Sequence, residues 1–170
     1  HHPLPPATNR PFPPPPTIPH HQTNPETTVN YTLAPAQTDA AINMALDSHF
    51  VSLKHNSTLK NVLFVFLPRT NRQPKDYTGI THKASSMGYH AIGLMYPNLK
   101  AVNKLCAPTN DSTCHRRARL EIVDGIDRHP DINVNTTNSI INRLIKLLQW
   151  LDALEPTEKW AQYLKNGQPD

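Results

Sequence analysis

Residues 61–98, NVLFVFLPRTNRQPKDYTGITHKASSMGYHAIGLMYPN, decide the fold class. Val62 to Leu67 is an unbroken run of apolar, β-branched and aromatic side chains, the pattern of a strand buried on both faces. Pro68 ends it. After the loop Arg69 to Pro74, Asp76 is placed to cap a helix that closes at Gly88. Ala91 to Tyr96 forms a second apolar run. Two buried strands joined by a helical crossover make a parallel βαβ unit, normally right-handed. The loop after the first strand sits at the carboxyl edge of the sheet, where open α/β sheets place their ligand chemistry.

Working outward, the flanks divide into a tail and a helix-rich remainder. Eleven of the 18 prolines fall in the first 35 residues, which offer few apolar side chains to bury. Residues 1–35 are therefore expected to be a disordered, polyproline-like tail, and 36–170 a single domain. Weaker strand signals occur at Val29 to Leu33 and Val51 to Leu53. Thr38 to Leu53 also carries Ile42, Leu46, Phe50 and Leu53 at helical spacing, which predicts a helix, or a helix running into a strand. Arg116 to Ile126 places Leu120, Val123 and Ile126 on one helical side. Asn138 to Leu154 has the widest apolar stripe, with Thr136 or Thr137 as cap and Pro156 as stop. A short helix is expected over Thr157 to Lys165. The whole is an α/β domain: a parallel sheet, incomplete in its strands, with flanking helices and an open edge available to a partner or to aggregation.

Composition narrows the function classes. The formal charge is only +4. The basic cluster His115, Arg116, Arg117, Arg119 is followed by Glu121, Asp124 and Asp127 without interleaved aromatics, the pattern of a mixed-sign surface helix and not of a nucleic-acid footprint. No apolar run is long enough to span a bilayer. The two cysteines, Cys106 and Cys114, flank the polar loop APTNDST, a spacing that closes a small disulfide; alone they leave a zinc site half empty. Glycosylation sequons begin at Asn30, Asn56, Asn110 and Asn135. Disulfide, sequons and a first residue that is not methionine point to a secreted protein.

The segments LFVFLPRTNRQPKDY, ASSMGYHAIGLMYPN, Cys106 to Cys114, NSIINRLIKLLQWLDALEP and KWAQYL resemble the N-terminal half of a group of secreted α/β-hydrolase-like proteins, over roughly residues 60–167. The resemblance implies that the loop after the first strand of the βαβ unit, L-P-G-T-x-G-x-P in that group, supplies an oxyanion-hole amide. Its equivalent here is Arg69, Thr70 and Asn71 within Leu67 to Pro74, with arginines at 69 and 72 where the group has glycines. In the group a G-x-S-x-G nucleophile turn follows the next strand, with acid and histidine later; no positions in this chain match them.

No catalytic residue is therefore assigned. Ala84-Ser85-Ser86-Met87-Gly88 is a permissive match to such a turn, but Ser86 follows a helix and precedes a strand, the reverse of the required order. His82 and His90 are expected to pack or face solvent. His1, His2, His20 and His21 belong to the tail, and no metal or cofactor site is assigned. The expected function is the N-terminal portion, or a truncated paralogue, of a secreted esterase- or lipase-like hydrolase, inactive alone. The alternative is a non-enzymatic secreted glycoprotein binding at a cell surface or matrix.

Overall fold

In residues 49–55 every second side chain, His49, Val51, Leu53 and His55, belongs to one face of a strand, and this period of two sets the middle of the molecule. The structure, a computed structural model, describes residues 27–55 and 58–170. Four strands, β1 (Thr27–Leu33), β2 (His49–His55), β3 (Leu63–Phe66) and β4 (His90–Gly93), form one sheet in the order β1-β2-β4-β3. The β3–β4 pair is parallel, as expected of the βαβ unit, with Val65 opposite Ile92. The other two pairings are antiparallel, so the sheet is mixed and not the parallel sheet anticipated. The link from β1 to β2, residues 34–48, holds only the four-residue α1 and no helix long enough to cover a parallel crossover, so the chain returns antiparallel.

The helices are α1 (Pro35–Thr38), α2 (Thr78–Ser86), α3 (Val102–Cys106), α4 (Cys114–Asp124) and α5 (Ile140–Leu154). Helix α2 covers one face: Ser85 hydrogen-bonds Ser52 at 2.8 Å, and the Phe50 and His82 rings meet edge to face. Helix α5 covers the other. Its Leu144, Leu147, Leu148 and Leu151 pack on Val51, Leu53, Ile92 and Leu94, with Trp160 and Tyr163 closing the end. Each buried leucine contributes roughly 1.5–3 kcal/mol, so the four together rival the net stability of an ordinary domain. A second cluster joins Ala118 and Ile122 of α4 to Ile132 and Val134. Among the described residues no helix is long and apolar enough to cross a membrane.

Several local expectations change. The tail does not reach residue 35: Thr27–Leu33 is strand and Pro35 opens α1, because Tyr31 and Leu33 find the core. Residues 1–26 lie outside the described residues. The helix expected over Thr38 to Leu53 is absent: α1 ends at Thr38, and the apolar residues from there to Leu53 divide between a loop and β2. β3 is only half-buried, since it lies at the sheet edge, while β4 is buried throughout. Asp76 does not cap α2; its Oδ2 accepts from the Gln73 amide and closes a 3-10 turn, Pro74–Tyr77, ahead of the helix. Gly88 does end that segment, at φ 90°, where a Cβ would lie 2.8 Å from the Thr58 carbonyl oxygen. On α4 the buried side is Cys114, Ala118, Glu121 and Ile122, while Val123 and Ile126 are exposed. Glu121 is drawn inward because its carboxylate accepts the Arg128 and His129 amides, both at 2.8 Å. Ser139, not Thr136 or Thr137, caps α5, accepting from the Asn142 amide at 3.2 Å. After Pro156 the expected helix is two 3-10 turns and a small hairpin, β5 (Leu164–Lys165) with β6 (Gln168–Pro169).

Arg143 is fully buried, and its guanidinium donates to the carbonyls of Asn138 at 2.8 Å, Ala45 at 3.0 Å, Met95 at 3.4 Å and Met44. Burial lowers its pKa to about 10, which leaves it charged at neutral pH. Replacing it by methionine keeps the volume and orphans several buried carbonyls. We expect Arg143→Met to cost on the order of 3–5 kcal/mol in urea unfolding, with Arg143→Lys recovering only part because an ammonium cannot fork across these acceptors. A loss below 1 kcal/mol would show that these contacts carry little.

His49 lies beside this network, and its Nδ1 accepts the Met95 amide at 2.9 Å. Burial, and secondarily the Arg143 charge, lower its pKa to about 3. The unfolded chain takes up a proton near pH 6.5 and the native chain does not. His49 therefore leaves stability unaffected above 6.5 and reduces it as pH falls from 6.5 toward 3, by up to ~1.4 kcal/mol per pH unit. Unfolding measured at pH 7.5, 6 and 5 is expected to show a shallower acid dependence for His49→Gln than for the natural chain.

Candidate functional site

The carboxyl ends of β3 and β4 open on the same side, and the chain leaving each builds a cleft there. After β3 runs Leu67 to Gln73; after β4 run Tyr96, Pro97 and Asn98. Asn98 fastens the two together. Its Nδ2 donates to the carbonyls of Arg69 and Arg72, each at 2.9 Å, and its own carbonyl accepts the Asn71 amide at 3.1 Å. Tyr96 adds a bond from its hydroxyl to the Pro68 carbonyl at 2.7 Å. Burial pushes the Tyr96 phenol upward in pKa, opposed by the Arg119 charge, so it serves as a donor.

This bracing holds the loop expected to be the oxyanion-hole equivalent. Arg69 to Arg72 is a β-turn, closed by the Arg72 amide on the Arg69 carbonyl at 3.1 Å. Asn71 takes φ 58°, the left-handed conformation asparagine tolerates better than other side chains. The positive-φ bend thus falls at Asn71, while Arg69 and Arg72, in the glycine positions of the resembling loop, avoid positive φ. Two loop amides, those of Asn71 and Arg72, are already spent within the protein. Among the described residues no hydrogen bond takes the Thr70 amide.

Thr70, Leu67, Tyr96 and Asn98 line a cleft of about 320 Å³ with Arg119 and Lys100 among its polar neighbours. Asn98 is buried, and its Oδ1 has no hydrogen-bond partner among the described residues. An apolar cavity of about 200 Å³, lined by Met44, Pro97, Ile132 and Val134, shares Lys100 and Ile122 with the cleft. The arrangement pairs a polar, cationic mouth with an apolar recess, which suits a small ligand with an apolar body and a polar or anionic head.

The serines cannot act in this cleft. Ser86, in the last turn of α2, bonds back to the Lys83 carbonyl at 2.7 Å. Ser85 is buried between Ser52 and the His82 carbonyl. Both lie on the α2 face of the sheet, on a helix that precedes a strand. His82 is exposed and packs on Phe50; His90 is buried at the start of β4.

Cys106 and Cys114 form the expected disulfide, with S–S 2.00 Å and Cα–Cα 5.7 Å, joining the end of α3 to the start of α4. The sequon asparagines Asn30, Asn110 and Asn135 are exposed, and Asn56 lies outside the described residues. The basic cluster is the mixed-sign surface anticipated: Arg117 pairs with Asp111 at 2.5 Å, and Arg128 with Asp124 at 2.5 Å.

Three further residues, His55, Glu155 and Glu158, escape sequence reading although the structure brings their ligand atoms within 4.8 Å of one another. The available signal is the spacing Glu-Pro-Thr-Glu at 155–158, since residues three apart eclipse in a 3-10 turn.

Comparison with family models, curated proteins and solved structures returned no match for this chain. The class defined by its structure is a small α/β domain with a mixed sheet and flanking helices.

If Asn98 fastens the loop, Asn98→Ala should free Arg69 and Arg72 for trypsin. We expect cleavage at those two arginines to accelerate at least several-fold, with a stability loss of about 1–3 kcal/mol. Unchanged cleavage would mean the loop holds itself.

Proposed function

We propose that this domain is the oxyanion-loop half of an α/β-hydrolase-like site for an ester or related acyl substrate, with the nucleophile supplied by sequence outside these 170 residues. One observation carries the reading. The loop that follows the third strand and precedes the first long helix is braced at the carboxyl edge of the sheet, beside a cleft with an apolar recess. That is where hydrolases of this type draw one oxyanion amide. The open side of β3, with Val62 and Leu67 exposed at its ends, supports the addition of a further parallel strand there, and such a strand is the usual carrier of the nucleophile turn. An amide without a nucleophile stabilises no intermediate, so the chain alone is inactive in acyl transfer.

A second reading, a non-enzymatic secreted glycoprotein, draws on the disulfide and on the exposed sequon asparagines. Both readings place the protein outside the cell. The coding sequence after Asp170 separates them: a strand followed by G-x-S-x-G favours the hydrolase, and a stop codon the binding protein. For the chain itself, a fluorophosphonate probe is expected to label nothing. Labelling that disappears in Ser86→Ala would overturn the proposal by making Ser86 a nucleophile.

A further inference from the structure

At the end of the sheet away from the cleft, four titratable side chains converge. His55 ends β2 and His90 opens β4, so their antiparallel pairing carries both to one edge. Facing them is the turn Pro156–Glu158 that follows α5, and its 3-10 geometry sets the Glu155 and Glu158 carboxylates side by side. His55 Nδ1 is 3.4 Å from Glu158 Oε1, and His55 Nε2 is 3.8 Å from Glu155 Oε2. His90 Nε2 is 3.7 Å from Glu158 Oε2.

These contacts are longer than the hydrogen bonds such groups form when they pair directly. His55 Nε2, Glu155 Oε2 and His90 Nε2 are all buried atoms without a hydrogen-bond partner among the described residues. The His90 side chain is 0 % exposed. Orphaned polar atoms are costly, and those of His55 and Glu155 belong to one group that also includes Glu158, whose ligand atoms lie within 4.8 Å of one another. Donor atoms about 2.0–2.1 Å from a tetrahedral ion lie about 3.4 Å from one another, so binding would draw this group inward.

The surrounding groups turn these donors inward. Tyr31 donates its hydroxyl to Glu155 Oε1, which leaves Oε2 toward His55. Tyr163 bonds His90 Nδ1 at 2.7 Å, so that Nε2 faces Glu158. Trp160 meets the His90 ring edge to face at 4.5 Å and fixes its plane. Such outer partners are what orient metal ligands. By contrast the cluster of Cys106, Cys114 and His129 offers no thiolate, because its sulfurs are joined to each other.

We propose that His55, Glu155 and Glu158 bind a divalent transition-metal cation of the zinc class, with a fourth position open to water and His90 standing behind Glu158. An imidazole nitrogen with two carboxylates favours such an ion over calcium or magnesium, which prefer all-oxygen shells. The ion ties the turn after α5 to the end of β2, a structural role at the opposite end of the sheet from the cleft. Partial exposure of His55 and Glu155, 29 % and 24 %, gives it a route from solvent.

The test titrates the full chain with zinc sulfate by calorimetry and with cobalt(II) by visible absorption, alongside full-length Glu155→Gln/Glu158→Gln, His55→Gln and Tyr31→Phe. One equivalent is expected to bind at this site, raise the unfolding temperature, and give the intense bands of four-coordinate cobalt. The double variant loses that equivalent. Tyr31→Phe, which removes only an orienting partner, weakens it about 10–100-fold. Should the double variant fail to unfold cooperatively, His55→Gln and Tyr31→Phe carry the same comparison. The proposal is overturned if zinc neither binds nor shifts unfolding, or if stoichiometry and affinity are the same in natural and variant chains. The second result would assign the ion to histidines elsewhere, such as His1, His2, His20 and His21, and leave a proton-linked ion-pair cluster only.

Discussion

A buried cation, with no carboxylate partner among the described residues, ties α5 to the loop before β2 and to the chain after β4. Arg143 enters from α5, and its guanidinium gathers main-chain carbonyls from the loop before β2, the chain after β4 and the turn before its own helix. Solvating an arginine with carbonyls alone is expensive, as its depressed pKa records, and the buried carbonyls of Asn138 and Met95 gain a donor in return. Another of the accepting carbonyls belongs to Ala45, held at φ 43°, a conformation that disfavours a residue with a Cβ. The same contacts seat His49 and, through the Met95 amide it accepts, the start of the cleft-forming segment.

From this anchor the two ends of the sheet take different characters. At the carboxyl ends of β3 and β4 the Asn98 side-chain amide ties two loop carbonyls together, and a cleft with an apolar recess opens beside them. At the other end two histidines and two carboxylates are oriented by tyrosines, and three of their buried atoms find no hydrogen-bond partner among the described residues. The disulfide stands apart from both: it fastens α3 to α4, whose Val102, Leu105, Ala118 and Ile122 share the second apolar cluster with Ile132 and Val134.

Much of this was legible in the chain wherever the signal was local. The βαβ unit announced itself through two apolar runs and a glycine-ended helix, and the structure reproduces it to within a few residues. The disulfide followed from spacing. What failed was non-local. Ile42, Leu46, Phe50 and Leu53 mimic a helix, yet the inward face of β2 is His49, Val51 and Leu53, and a buried histidine does not register as apolar. The face of α4 was misread for a related reason, since Glu121 is buried by the backbone amides it accepts and not by any hydrophobic preference. Antiparallel pairing of β1 with β2 and of β2 with β4 is a property of contacts between distant residues, invisible to periodicity. The loop after β3 does lie at the carboxyl edge of the sheet, but that Asn71 would carry its left-handed residue required the bracing from Asn98 to be seen.

Because α5 covers a sheet completed by Gly93, the order of synthesis matters. The strands leave the ribosome long before residues 140–154 exist to cover them. At roughly 5–20 residues per second, the intervening segment takes several seconds to appear. Through that interval one face of the nascent sheet, with Val51, Leu53, Ile92 and Leu94, stands bare. Helix α5 therefore acts as the last-arriving half of the core, and a chain stalled before it would offer the cell's chaperones an apolar surface with no covering of its own.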